Sequence, residues 1–260
     1  MLIDVQKVSA LGAKQQVFLL LPDFEDSEDG EVKANVHQLR EYFDPEFLTA
    51  QSLIVRTAQG RGTVYFFNLN NVMSVLRHYY RGGLVAKLVK DKFVFAGIQN
   101  TRAYQELKLL TYLYNAGVSV PKPIAAKITI LGMAYRADII TRAIQGGEEL
   151  HQLLQTHTVS DKVWIAIAHE VAKLHSKRAC HDDLNVKNIL VLPGEKVALL
   201  DFDACSVKRG ERWKSSNLAR FRRSLEKQQK KCASYHFNLE QWALFLDAYE
   251  HKTLTLSTRP

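Results

Sequence analysis

Cysteine is scarce in this chain: there are three, Cys180, Cys205 and Cys232, an odd number with no CxxC pair. That argues against a disulfide framework and a cysteine-based structural zinc, and predicts free thiols in a reducing compartment. Six prolines and 13 glycines are too few for a collagenous or low-complexity chain. Long apolar runs are missing too. The nearest candidate, Val17 to Leu21, stops at Pro22 and runs into Asp23, Glu25 and Asp26, so no transmembrane helix is expected. Near the start there is one lysine, Lys7, and Gln15 and Gln16 interrupt the apolar stretch, which is not the pattern of a signal peptide. A cytoplasmic protein is expected, touching a membrane only from its surface.

What is present is enough apolar material for a real core, 47% of 260 residues, and a charge with an address. Lys and Arg total 35 against 27 acidic residues, a formal net charge of +8. Residues 208–231 hold ten Lys/Arg and two Glu, so this one segment carries the whole surplus. A local anionic partner is expected there, drawn from nucleic acid, phosphorylated lipid or a membrane surface.

Residues 23–30 (DFEDSEDG) read as an acidic surface loop. From Ser52 the pattern turns β-like. SLIVRTA, TVYFFNL and VMSVLRHYY are separated by Gly60-Arg61-Gly62 and Asn70-Asn71, predicting three antiparallel strands. Ala103, Leu107, Leu110 and Tyr114 then recur at helical spacing and Asn115 to Gly117 reads as the C-cap. AAKITIL and MAYRADIIT flank a turn at Gly132, giving a five-strand sheet with one main helix in the first half. After Gln145-Gly146-Gly147 helices take over: one near Leu150, one from Asp161 to Ser176, and two more near 217–231 and 238–250, with a hairpin turning at Pro193-Gly194-Glu195. The reading is an α+β fold of two lobes, a β-rich lobe over 1–145 and a mainly helical lobe over 146–260.

The chemistry concentrates after the long helix. His181-Asp-Asp-Leu-Asn-Val-Lys-Asn188 is followed thirteen residues later by Asp201-Phe-Asp203 at the end of an apolar strand. H-x-D-L-x-x-x-N, a hairpin and then D-F is the catalytic and metal half of the protein-kinase-like signature. Phosphoryl transfer from ATP needs hard oxygen ligands for Mg2+, and Asn188 and Asp201 are of the right type. It also needs a group to take the proton of the attacking hydroxyl, for which Asp183 fits. Lys187 could neutralise charge on the transferred group, and His181 reads as a residue that braces the loop. Upstream, Gly60 and Gly62 would let backbone N–H groups approach phosphates, although Tyr65 replaces the third glycine of G-x-G-x-x-G. For the phosphate-binding cation two residues compete, Arg77 in Val75-Leu76-Arg77 and Lys87 in Val85-Ala86-Lys87. Arg77 is preferred because it sits mid-strand, with Glu106 on the following helix as its partner.

RHYYRGGL, TRAYQELKLL, VPKPIAA, YRADIIT, HDDLNVKNIL, LLDFDAC and NLARFRRSLEK together resemble the bacterial 3-deoxy-D-manno-octulosonic acid (Kdo) kinases, relatives of the lipopolysaccharide heptose kinases, from about Gly60 to Lys227. The resemblance implies a small two-lobed kinase that moves the γ-phosphoryl group of ATP to the 4-hydroxyl of Kdo on lipid A, at the cytoplasmic face of the inner membrane. It also implies a peripheral enzyme whose basic segment 208–231 meets the anionic membrane, with no nucleic acid as partner. Asp182 and Lys187 depart from the family's H-A-D-L-N-A-H-N. Fifty-seven residues follow Asp203 and none of them reads A-P-E, which points away from a peptide substrate. A heptose or other small-molecule kinase of the same fold, or a catalytically silent binding protein, are the alternatives.

Overall fold

The structure is a computed structural model that describes residues 4–9, 15–21, 36–59, 62–81 and 90–258. The chain forms two compact units, one of Met1–Lys108 with Lys122–Ala143 and one of Leu109–Pro121 with Ile144–Pro260.

The first unit is built on β1 (Asp4–Ser9), β2 (Gln15–Leu20), β3 (Ile54–Gln59), β4 (Thr63–Leu69), β5 (Val72–His78), β6 (Phe93–Val94), β7 (Pro123–Leu131) and β8 (Ala134–Arg142). They make one sheet in the order β1-β2-β7-β8-β5-β4-β3, with β6 added on β8, and every pairing is antiparallel. Five strands were expected, so three were missed. β2 is the instructive one. It lies inside the sheet between β1 and β7, and its run Val17-Phe18-Leu19-Leu20 is buried at every position, 0 to 6% exposed, so both of its faces are covered. A strand covered on both faces shows no alternation, and the same letters read only as a short apolar run.

Two short helices, α1 (Val36–Glu41) and α2 (Pro45–Ala50), cap one face of this sheet. Asp44 accepts from Glu46 N at 2.9 Å as the N-cap of α2, with Pro45 in the first turn. Leu39, Phe43 and Leu48 from this segment join Phe18, Phe67, Leu69, Leu76 and Ile140 in one buried cluster. Leu76 and Arg77 are neighbours on β5 and therefore point to opposite faces. The main helix α3 (Arg102–Asn115) meets the face of Arg77 and ends at Gly117, whose φ of +76° suits a residue without Cβ while Val118 N closes the turn on Leu113 O at 3.0 Å.

The second unit runs β9 (Glu148–Glu149), α4 (Leu150–Thr156), α5 (Asp161–Ser176), β10 (Ala179–Cys180), β11 (Ile189–Leu192), β12 (Lys196–Leu199), β13 (Ser206–Val207), α6 (Arg212–Gln229) and α7 (Leu239–Ser257). Ser160 caps α5, whose Val163, Ile167, Val171 and Leu174 are all buried. α7 opens with a full capping box between Asn238 and Gln241. Phe221 of α6 packs against Trp242 and Phe245 of α7, ring centroids 6.0 and 5.4 Å apart. α6 begins at Arg212, earlier than its periodicity suggested, and it buries Asn217 with Phe221 and Leu225 while Leu218 stays half-buried. A polar residue in that buried row has a reason that lies in the site.

Candidate active site

In the first unit, Arg77 is held on an inner strand, opposite Val64 on β4 and Ile139 on β8. Its guanidinium donates to Glu106 Oε1 of α3, and Tyr79, two residues on and therefore on the same face, donates to Oε2 at 2.7 Å. Glu106 is 3% exposed and Arg77 25%, so the carboxylate is buried and its cation is the partly accessible member. A buried carboxylate is costly unless paired; here it fixes the guanidinium on a rigid strand. Tyr79 escaped sequence reading, although its i+2 spacing from Arg77 was the available signal. Gly62 has a packing reason for its identity: a Cβ there would lie 1.9 Å from the Tyr80 ring. Gly60, Lys87 and the acidic loop 23–30 lie outside the described residues.

The opposite face of the same sheet holds a cavity of about 640 Å³ lined by Phe18, Phe43, Tyr65, His78 and Lys127. Asp138 at its wall accepts from Lys127 at 3.2 Å and pairs with His78 at 2.6 Å. It is separate from the Arg77–Glu106 face.

In the second unit, the loop 181–188 hangs from buried groups. His181 is fully buried; its Nε2–H donates to Leu200 O at 2.8 Å and its ring packs on Phe202 at 4.8 Å. Burial pushes its pKa down, so the ring is neutral with the proton on Nε2. The Asp183 carbonyl accepts from the side-chain amides of both Asn185 and Asn188 at 3.0 Å, and Asn185 Oδ1 accepts from Lys187 N at 2.9 Å. These bonds hold the backbone of Asp183 while its carboxylate stays 45% exposed. A fixed, solvent-facing carboxylate is what a proton acceptor requires.

The β11–β12 hairpin aligns the next two residues. Ile189 pairs with Leu199, and Leu200 N donates to Asn188 O at 2.9 Å, which sets Asp201 one residue beyond Asn188 across the ladder. Asn188 spends its amide nitrogen on Asp183, leaving Oδ1 as the oxygen able to face a cation. Asp201 adopts φ +62°, a left-handed conformation that few L-residues take but Asp tolerates. Among the described residues no group of three or more His, Cys, Asp or Glu could hold a metal. One carboxylate and one amide oxygen suit a hard cation that takes its other ligands from phosphates and water.

Helix α6 is the wall behind this loop. Asn217 Nδ2 donates to His181 O at 2.6 Å, Ser224 Oγ accepts from Val186 N at 3.0 Å, and Arg220 Nη1 lies 3.5 Å from Asp183 Oδ1. Asn217 Oδ1 also accepts from His175 Nε2 at 2.9 Å, and His175 Nδ1 accepts from Tyr249 at 2.8 Å. Burial holds His175 down at about 4, so it is neutral at physiological pH. None of these α6 residues was singled out as part of the loop site from sequence. The signal was their spacing of three and four residues inside a segment read only as basic and apolar.

Lys187 is exposed on the loop, and its charge adds to burial in pushing the His151 pKa down; among the described residues the cation paired with Asp183 is Arg220. The basic segment is likewise less free than its composition suggested. Lys208 donates to Asp182 at 2.6 Å, Lys214 pairs with Glu211, and Arg222 with Glu226 at 2.8 Å. Asp182 also accepts from the Cys180 thiol, whose pKa burial raises to about 11. Such a thiol is unreactive at neutral pH.

An antiparallel sheet unit with an Arg–Glu pair between strand and helix, and a helical unit with H-x-D-L-x-x-x-N and D-F-D on a hairpin, define a kinase of protein-kinase-like fold, a class of phosphotransferases that use ATP. The chain belongs to the lipopolysaccharide kinase (Kdo/WaaP) family, which it matches over residues 45–249. It is 43% identical over 208 residues to a 3-deoxy-D-manno-octulosonic acid kinase of Photobacterium profundum, covering 80% of this chain and 88% of that protein. The enzymes of the same description from Haemophilus influenzae (strain PittEE) and Vibrio cholerae are 44% and 41% identical, covering 82% and 80% of this chain and 91% and 88% of theirs.

Proposed function

We propose that the enzyme transfers the γ-phosphoryl group of ATP to the 4-hydroxyl of a 3-deoxy-D-manno-octulosonic acid residue on lipid A. The observation that carries this reading is the half-exposed Asp183 carboxylate on a loop whose backbone is held by Asn185, Asn188, Asn217 and Ser224, in a chain more than 40% identical to kinases of that sugar. Asp183 orients the acceptor hydroxyl and takes its proton as the oxygen attacks phosphorus. Arg77, braced by Glu106 and Tyr79, holds ATP phosphate oxygens. Asn188 Oδ1 and the Asp201 carboxylate would hold Mg2+, which would neutralise charge on the phosphates. Gly60 and Gly62 are assigned backbone N–H contacts to the nucleotide phosphates. Phosphoryl transfer passes through a loose transition state, so positioning and charge carry most of the rate.

Access to the lipid acceptor is by peripheral binding. No helix among the described residues is long and apolar enough to cross a membrane. Arg223, Lys227, Lys230 and Lys231 remain exposed on the basic segment; at about 1 kcal/mol each, they could hold the enzyme loosely at the anionic cytoplasmic face of the inner membrane. The deciding experiment is transfer of labelled phosphate from ATP to Kdo-lipid A, with free sugars and peptides beside it. Transfer confined to Kdo-lipid A and lost in Asp183→Asn, with nucleotide affinity kept, supports the reading. Full activity of Asp183→Asn, or no transfer to Kdo-lipid A, removes it.

A further inference from the structure

The ion pair between Arg220 and Asp183 is placed where a structural salt bridge has little to do. On α6, Asn217, Arg220 and Ser224 follow one another at spacings of three and four and so share a face. The outer two are bolted to the loop, at His181 O and Val186 N, by hydrogen bonds of 2.6 and 3.0 Å. Those two bonds already fix the helix against the loop. Arg220, between them, stands 3.5 Å from Asp183, beyond good hydrogen-bond length, with 50% of its side chain exposed. An exposed pair of that geometry adds little to holding the loop. It does keep a guanidinium, with its planar fork of donors, at the side of the proposed proton acceptor, and among the described residues Asp183 is the carboxylate paired with it. Lys187, which sequence spacing favoured as a cation of this site, is exposed on the loop.

An acceptor that places its hydroxyl against Asp183 must bring the rest of the sugar alongside. The acceptor proposed above is a sugar acid, and its carboxylate is the one charge of the sugar itself. A carboxylate meeting a guanidinium makes two parallel charge-assisted hydrogen bonds, and an uncharged neighbour in its place leaves the guanidinium unmatched. We propose that Arg220 is the residue that recognises the carboxylate of the acceptor sugar, making the enzyme selective for sugar acids over neutral sugars. Asp183 holds the guanidinium in position until the acceptor arrives. This rests on the acceptor reading of the preceding subsection.

The test uses the full-length chain with Kdo-lipid A in detergent micelles, the sugar carboxyl either free or converted to its methyl ester. Wild type, Arg220→Gln and Arg220→Lys are compared, and nucleotide binding without acceptor is titrated in parallel. For wild type, esterification is expected to lower kcat/KM about 10- to 100-fold, chiefly through KM, the range of a charged hydrogen-bond pair. Arg220→Gln is expected to lose a similar factor on the free acid and to treat acid and ester alike, with nucleotide affinity unchanged. Arg220→Lys, which keeps the charge without the fork, falls between the two. An Arg220→Gln variant that still discriminates against the ester, or that is impaired equally on both acceptors, overturns the inference, the latter result placing Arg220 on Asp183 or the phosphoryl group. So does wild-type indifference to esterification. Failure of wild type to phosphorylate the free acid overturns the acceptor assignment itself, and the inference with it.

Discussion

Asn217 is the residue whose removal should most clearly separate a scaffold of the catalytic loop from a mere packing position. It is 4% exposed and makes two side-chain hydrogen bonds, accepting from His175 Nε2–H at 2.9 Å and donating to His181 O at 2.6 Å. His175 and His181 are themselves 1% and 0% exposed, so neither stranded partner could turn to bulk water. Each buried group left unsatisfied costs about 1–3 kcal/mol, so Asn217→Ala, which strands two, is expected to cost roughly 2–6 kcal/mol, a large share of the ~5–15 kcal/mol that holds a protein folded. Urea denaturation at pH 8 followed by circular dichroism measures this. Asn217→Asp gives the second arm. It keeps the acceptor for His175 and turns a carboxylate toward the His181 carbonyl, so it is also destabilised at pH 8. Near pH 5 the same carboxylate stabilises protonated His175, and the deficit relative to wild type shrinks. Both variants, where folded, should lower kcat with nucleotide affinity kept, because the slack enters the loop two residues before Asp183. A loss under about 1 kcal/mol in Asn217→Ala, or an Asn217→Asp deficit that grows on acidification, would refute the network as described.

The native His175 pKa of about 4 against an ordinary 6.5 sets a pH dependence. Its neutral form is favoured in the fold, so stability is full above pH 6.5 and falls as pH drops toward 4, by about 3 kcal/mol from this group; His175→Gln should be weaker at pH 7 but flatter across that window in urea titrations. Arg77→Ala should raise the nucleotide Kd by about tenfold or more, since it removes the proposed phosphate contact and takes from buried Glu106 its cation, leaving the Tyr79 hydroxyl on the carboxylate, while Lys87→Ala changes it little; the reverse order in nucleotide titrations overturns the assignment of Arg77. Replacing Arg223 and Lys227 by Glu should weaken sedimentation with anionic vesicles, most at low salt, and leave acceptor-independent ATP hydrolysis unchanged; unaltered vesicle binding at low salt sinks the membrane role of this segment.

Local chemistry was enough for part of this protein. The short apolar run VMSVLRH after the turn at Asn70-Asn71, the helical spacing from Ala103 to Tyr114 and the turn residues Pro193-Gly194-Glu195 each specify their own element through length, period or backbone preference, and β5, α3 and the β11–β12 hairpin stand where those signals put them. The candidate loop 181–188 was legible as a motif for the same reason: its residues are close in sequence and chemically uncommon in combination. Tertiary structure decided the rest. Whether Val17–Leu20 became a strand depended on β1 and β7 covering its edges, which the run itself does not encode. Glu106 gained Tyr79 as a second donor because strand and helix meet in one register. Arg220 and Asp183 lie 37 residues apart, and only the packing of Phe221 and Leu225 into the helical core turns the Asn217–Arg220–Ser224 face toward the loop. Sequence reveals the charge of Arg220; which carboxylate it meets is a property of how α6 is rotated, and that rotation is set by the burial of other side chains.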